Sequence, residues 1–172
     1  MGGAPSRSVA DARSARDVVV DALEAFRSFP AIHGTVRYEG PEAVLVYELW
    51  VRDPAARIEL PFGGQTIPWV TDGERSSIEE PHLHAGVLFL VDPRQDLLYS
   101  CDGPCLAGSM QILGRTATGI RCPAGESNAL HWVDELSGLI LRGRNAEGEP
   151  WSFTDLEFDP VFPPDVFDVG AS

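Results

Sequence analysis

Four histidines, three cysteines and a scatter of carboxylates are the groups in this 172-residue chain that could carry chemistry. His82 and His84 alternate with Leu83, just after Glu79 and Glu80. In a strand the two imidazoles would share a face, which begins a metal site. No third ligand follows at a telling spacing, so the segment reads as an exposed loop, and neither a metal nor a cofactor is expected. Glu79 and Glu80 would point opposite ways in a strand and read as a solvated edge. His131 beside Trp132 reads as a surface or satisfied core histidine, and His33 has no partner in sequence. No Gly-x-Ser-x-Gly elbow occurs, since Gly108-Ser109 runs into Met110. Gly114-Arg115-Thr116 lacks the Gly-Lys-Ser/Thr ending of a phosphate loop. Cys101, Cys105 and Cys122 are odd in number, and the spacing of Cys101 to Cys105 is wrong for a redox pair, although it could close a small loop. Free thiols are the expectation.

The elements that must position these groups are mostly strands. A hydrophobic fraction of 44% in 172 residues suits one domain with a sizeable core. The net charge of −13, with 13 basic residues (all arginine) against 26 acidic ones, argues against a nucleic-acid partner. No run of about eighteen apolar residues is present to span a membrane, and no basic segment leads into an apolar core at the N-terminus. As written the chain reads as cytoplasmic; with a trimmed N-terminus it would be exported.

Residues 1–10 are small and polar and are expected to be disordered, leaving 11–169 as a single domain. A helix is expected from about Ala10 to Phe29, with Ser14 and Asp17 as a capping box and Ala15, Val19, Ala22, Leu23 and Phe26 on one face. Pro30 ends it. Thereafter the period is two. Strands are expected at 33–38, 43–52, 57–60, 66–71, 74–79, about 112–120 with Gly114 inside it, and 151–158. Strand 43–52, apolar on both faces at one end, should be covered on both sides along part of its length. Asp72-Gly73 signals a two-residue hairpin. Segment 87–91 is a buried strand or short helix, and Cys101 to Gly108 reads as loop. Leu130 to Val133 and Leu139 to Arg142, joined by Asp134-Glu135-Leu136-Ser137-Gly138, read as an antiparallel hairpin. The tail 160–167 offers Val161, Phe162, Val166 and Phe167 to pack back. One helix and nine or ten short strands imply an α+β fold: an incomplete antiparallel β-barrel, a strongly curved sheet with the N-terminal helix on its concave side.

In this order the motifs resemble a known superfamily. They are His33-Gly34-Thr35-Val36, Leu49-Trp50-Val51-Arg52-Asp53-Pro54 with Arg57-Ile58-Glu59, Trp69-Val70-Thr71-Asp72-Gly73-Glu74, Gly114-Arg115, the hairpin Trp132 to Arg142, and Phe153, Leu156, Phe158, Pro164 and Phe167. The chain is similar to the periplasmic lipoprotein carriers and receptors, with their sigma-factor-regulator and mycobacterial lipoprotein relatives. The resemblance covers about Val18 to Val169, with little to match over 81–108. It implies a half-barrel holding acyl chains or other apolar ligands, and members of that superfamily are normally exported.

On that fold, Tyr47, Leu49, Ile58, Leu60, Trp69, Leu88 and Trp132 are the residues expected to line a cavity for a hydrophobic small molecule or acyl chain. Arg57 points outward by its alternation. Binding without covalent chemistry is the first reading. A cavity isomerase or cyclase acting on a hydrophobic substrate, with His or Glu as acid and base, is the second. A module binding a protein partner through a sheet edge is the third.

Overall fold

The computed structural model describes residues 14–27, 31–52, 54–77, 103–124, 127–144 and 148–170. The described residues form one helix, α1 (Ala15–Arg27), and nine strands: β1 (Ile32–Glu39), β2 (Val44–Arg52), β3 (Ala55–Phe62), β4 (Gln65–Thr71), β5 (Cys105–Ile112), β6 (Arg115–Ala124), β7 (Ser127–Asp134), β8 (Ile140–Arg144) and β9 (Pro150–Phe158). All nine strands form one antiparallel sheet in the order β4-β3-β2-β1-β9-β8-β7-β6-β5. β4 and β5 are its two edges, so the barrel is incomplete.

The helix begins where its capping box predicts. The Ser14 hydroxyl accepts from the Asp17 amide at 3.1 Å, and the Asp17 carboxylate accepts from the Ser14 amide at 3.0 Å. Two of the N–H groups that a helix start leaves orphaned are thereby satisfied. Ala15, Val18, Val19 and Ala22 are buried, and Leu23 is half-buried. Phe26 lies outside the described side chains.

Residues opposite one another in an antiparallel pair share a face. Leu49 faces Ile58, and Ile58 faces Trp69. On the other side of β2, Val36 faces both Tyr47 and Phe153, and Tyr38 faces Trp151. Trp151 faces Gly143, which in turn faces His131. These residues make one continuous inner face. With α1 and Ile120, Leu139, Ile140 and Leu141 they form one core cluster. The outer face carries His33, Glu48, Trp50, Arg57, Glu59, Trp132, Arg142 and Arg144, their alternating neighbours.

Three connections differ from the sequence expectation. The segment 112–120 is a tight hairpin and not one strand. Leu113 and Gly114 both take positive φ, 52° and 74°, and turn β5 into β6. The chain from Cys105 to Gly108, expected as loop, is the first half of β5. Its uncharged, alternating side chains are weak signals by themselves, but pairing with β6 satisfies its backbone. Asp72-Gly73 does not form a two-residue loop. Thr71 bridges Ser76, and the Asp72 carboxylate accepts from the Glu74 and Arg75 amides at 2.9 and 2.8 Å. The side chain thus builds the turn itself. Beyond Ser77 the expected return strand lies outside the described residues, as do 87–91 and the His82–His84 pair.

The two-sided covering of β2 is at the Trp50 end. There the tail packs back: Val166 and Phe167 are buried with Ala55, and Trp50 and Phe162 pack on them. The Arg52 guanidinium sits 4.9 Å from the centre of the Phe167 ring. Val161 is 98% exposed and takes no part. At the other end Val44, Leu45 and Val46 are exposed, not covered.

Cys122 is fully buried and disulfide-bonded, whereas Cys105 is a free thiol on the surface. The expectation of free thiols is therefore corrected at Cys122. An odd cysteine count does not forbid one bond, and only the fold decides which sulfurs meet.

Candidate functional site

Five of the seven residues expected to line an apolar site come together. Tyr47, Leu49, Ile58, Leu60 and Trp69 lie on the inner face of β2, β3 and β4. Leu49, Ile58 and Trp69 are at most 1% exposed and form its buried floor. Leu60 is half-buried and faces Ile67, which is 39% exposed. Leu45, on the same inner alternation as Tyr47, is 40% exposed. An apolar strip therefore runs from the core to a solvent-facing rim. Sequence reasoning did not single out Leu45 and Ile67. Their alternation was visible, but not that this end of the inner face is left exposed.

Trp132 lies on the opposite face. It faces Arg142 and Gly119, and a Cβ on Gly119 would stand 2.9 Å from its ring. Its indole therefore lies against the outer side of β6. Leu88 is outside the described residues. Arg57 is on the outer face, pairing with Glu59 at 2.8 Å.

One polar atom in the inner strip is unusual. The Tyr47 hydroxyl is buried and has no hydrogen-bond partner among the described residues. Burial pushes its pKa up, so it stays neutral and a donor at any ordinary pH. The Tyr38 hydroxyl on the same face is already committed to Glu149.

His131 is a further titratable group on the inner face, 3% exposed and opposite Ile120 and Gly143. Burial lowers its pKa to about 4. Unfolding restores the ordinary value of 6.5, so the unfolded chain binds a proton that the folded chain refuses. The stability held above that value should fall as pH drops from 6.5 to about 4, by up to about 3 kcal/mol. Urea titrations of wild type and His131→Gln across that range check this. A wild-type slope identical to the variant's would remove His131 as the cause.

Among the described residues no group of three metal-ligating side chains is present. No helix among them is long and apolar enough to cross a membrane.

This open antiparallel sheet with a helix against its inner face is a fold also found in solved structures. It is similar to the crystal structure of MucB, with 25% identity and a TM-score of 0.67, covering 91% of this chain and 63% of that one. The MucA/MucB complex of Pseudomonas aeruginosa matches with 24% identity and a TM-score of 0.65, over 91% of this chain and 61% of the other. The chain thus spans somewhat less than two thirds of MucB. The lipoprotein LppX of Mycobacterium tuberculosis is similar in fold at 14% identity, TM-score 0.57, covering 86% of this chain and 97% of LppX. No family model and no curated protein matches the sequence.

Proposed function

We propose that the inner face of β2, β3 and β4 binds an apolar ligand bearing one polar group, such as an acyl chain with its carbonyl, in a carrier-like or sensor-like role without covalent chemistry. The observation that carries this reading is the Tyr47 hydroxyl: an unpartnered donor buried in an apolar strip that opens to solvent at Leu45, Leu60 and Ile67. An unsatisfied buried hydroxyl costs about 1–3 kcal/mol. A ligand carbonyl at that position relieves the cost. Its chain covers the exposed rim, at roughly 25 cal/mol per Å² of apolar surface. The similarity to LppX, a lipoprotein, supports the reading at the level of fold. The disulfide at Cys122 supports an oxidising compartment and hence export, because such bonds are rare in reducing cytosol.

Among the described residues the isomerase or cyclase reading has His131 as its histidine on the inner face. That side chain is a buried core residue, neutral at pH 7, and substrate would have to displace the core to reach it.

Tyr47→Phe is expected to act in opposite directions on stability and binding. It should stabilise the empty protein by about 1 kcal/mol, because it removes the unsatisfied hydroxyl. It should weaken binding of an acyl ester roughly three- to tenfold, the worth of one neutral hydrogen bond. Thermal unfolding and displacement of a fluorescent fatty acid measure the two. Native mass spectrometry after detergent-free purification should show co-purified lipid. Unchanged acyl binding in Tyr47→Phe, or no acyl binding to wild type, would sink this proposal.

A further inference from the structure

The charge of this chain is segregated. Strands β5 to β8 carry four arginines and one carboxylate, Asp134, which is buried against Arg115. The chain as a whole has a net charge of −13. Arg121, Arg142 and Arg144 all project from the outer face. Arg121 and Arg144 face Leu130 from its two sides, and Arg142 faces Trp132. All three are exposed, and none makes an ion pair or hydrogen bond with another described residue. Guanidiniums in an acidic protein would ordinarily find carboxylates; among the described residues of β5 to β8 the one carboxylate, Asp134, is taken by Arg115.

Between them runs a groove of about 270 Å³ lined by Met110, Leu130, Trp132, Arg142, Gly143 and Arg144. Its floor is apolar and aromatic and its walls are cationic. It extends to β5, an uncharged strand that pairs only with β6 among the described residues.

We propose that this outer face is a second binding site, independent of the inner apolar strip, for an acidic extended polypeptide segment carrying an apolar side chain. The carboxylates would meet Arg121, Arg142 and Arg144, where guanidinium forks bind bidentately. The apolar side chain would enter the groove against Trp132. Local charge complementarity favours a peptide over an anionic membrane. A bilayer surface meets the field of the whole −13 molecule and is repelled, whereas a short segment stays within a Debye length of the patch.

The test uses a fluorescent acidic peptide with a central Leu-Phe, its Gln/Asn analogue, and phosphatidylglycerol vesicles, at low and at high salt. Wild type is expected to bind the acidic peptide at low salt, less tightly at high salt, and to bind neither the analogue nor the vesicles. R142E/R144E should lose about tenfold or more in affinity, with its thermal unfolding and fatty-acid displacement unchanged. R142Q/R144Q should show a smaller loss in the same direction, which keeps the test alive if the reversal misfolds. Absence of acidic-peptide binding at low salt, equal binding by the analogue, wild-type affinity in both R142E/R144E and R142Q/R144Q, or binding to vesicles in place of peptide would each overturn the proposal.

Discussion

Gly138→Ala is expected to destabilise the fold by about 3 kcal/mol or more, the upper range for single substitutions. Gly138 closes the β7–β8 turn with φ +72°, and a Cβ there would stand 2.1 Å from the Ala22 carbonyl oxygen of α1. Two costs add. A left-handed alanine costs about 1–2 kcal/mol. The larger one is displacement of the helix, since the obstructing atom is backbone and cannot rotate away. Moving α1 outward opens voids around Val18, Val19 and Ala22, each of which is buried in the shared core. Gly148→Ala is the control. Gly148 has φ +84° with nothing within 4 Å of its Cβ position, so only the backbone cost remains there. Urea unfolding of the two variants separates the effects. Equal losses would show that the helix does not rest on this turn.

Asp134→Ala is expected to cost about 3–5 kcal/mol, the usual penalty for breaking a buried ion pair by removing one partner. Asp134 is 1% exposed. Its carboxylate accepts from Arg115 at 2.7 Å, from the Ser137 amide at 2.8 Å and from the Ser137 hydroxyl at 2.5 Å. Burial by itself would raise its pKa, but these hydrogen bonds outweigh it and the net shift is downward. The carboxylate is thus held ionised, and its contribution is present at neutral pH and lost as pH falls through the lowered value. Removing it frees the turn and also Arg115, whose guanidinium lies 4.2 Å from the centre of the Phe158 ring. Strands β6, β7 and β9 therefore lose a common tie. For a domain of this size the drop in Tm is about 10 °C. Asp134→Asn should cost less, because it keeps an acceptor for Ser137. A loss below about 1 kcal/mol in Asp134→Ala would mean that the pair is only a surface decoration.

Both substitutions fall in the hairpin whose pattern was plainest in the sequence. Apolar runs on either side of Asp134 to Gly138 marked two strands and a turn, and the strands are there. The roles inside the turn were not legible. That Asp134 binds Arg115 depends on β6 lying beside β7, and that Gly138 supports α1 depends on a helix more than 110 residues earlier in the chain.

The candidate site divides the same way. Alternation put Tyr47, Leu49, Ile58 and Leu60 on one face, because a strand's period of two fixes sides within a strand. Trp69 joined them through a register of tight turns. Trp132 ended on the other face, because alternation fixes which residues share a side but not which side meets the helix. The arginines of β6 and β8 were unremarkable in sequence, about twenty residues apart, and became a patch only by facing Leu130 and Trp132 across the strands.

Local chemistry, then, sufficed for the helix and its cap, for most strands, for the antiparallel class and for an acidic chain unsuited to nucleic acid. These are properties of neighbours in sequence, set by backbone sterics, side-chain period and composition. Tertiary structure alone decided that Cys122 is bonded while Cys105 is free, and that Tyr47 keeps a buried, unpartnered hydroxyl. It also decided that three arginines share one face beside Leu130 and Trp132. Each depends on what a residue meets across the sheet, and no local pattern encodes that meeting until the register is formed.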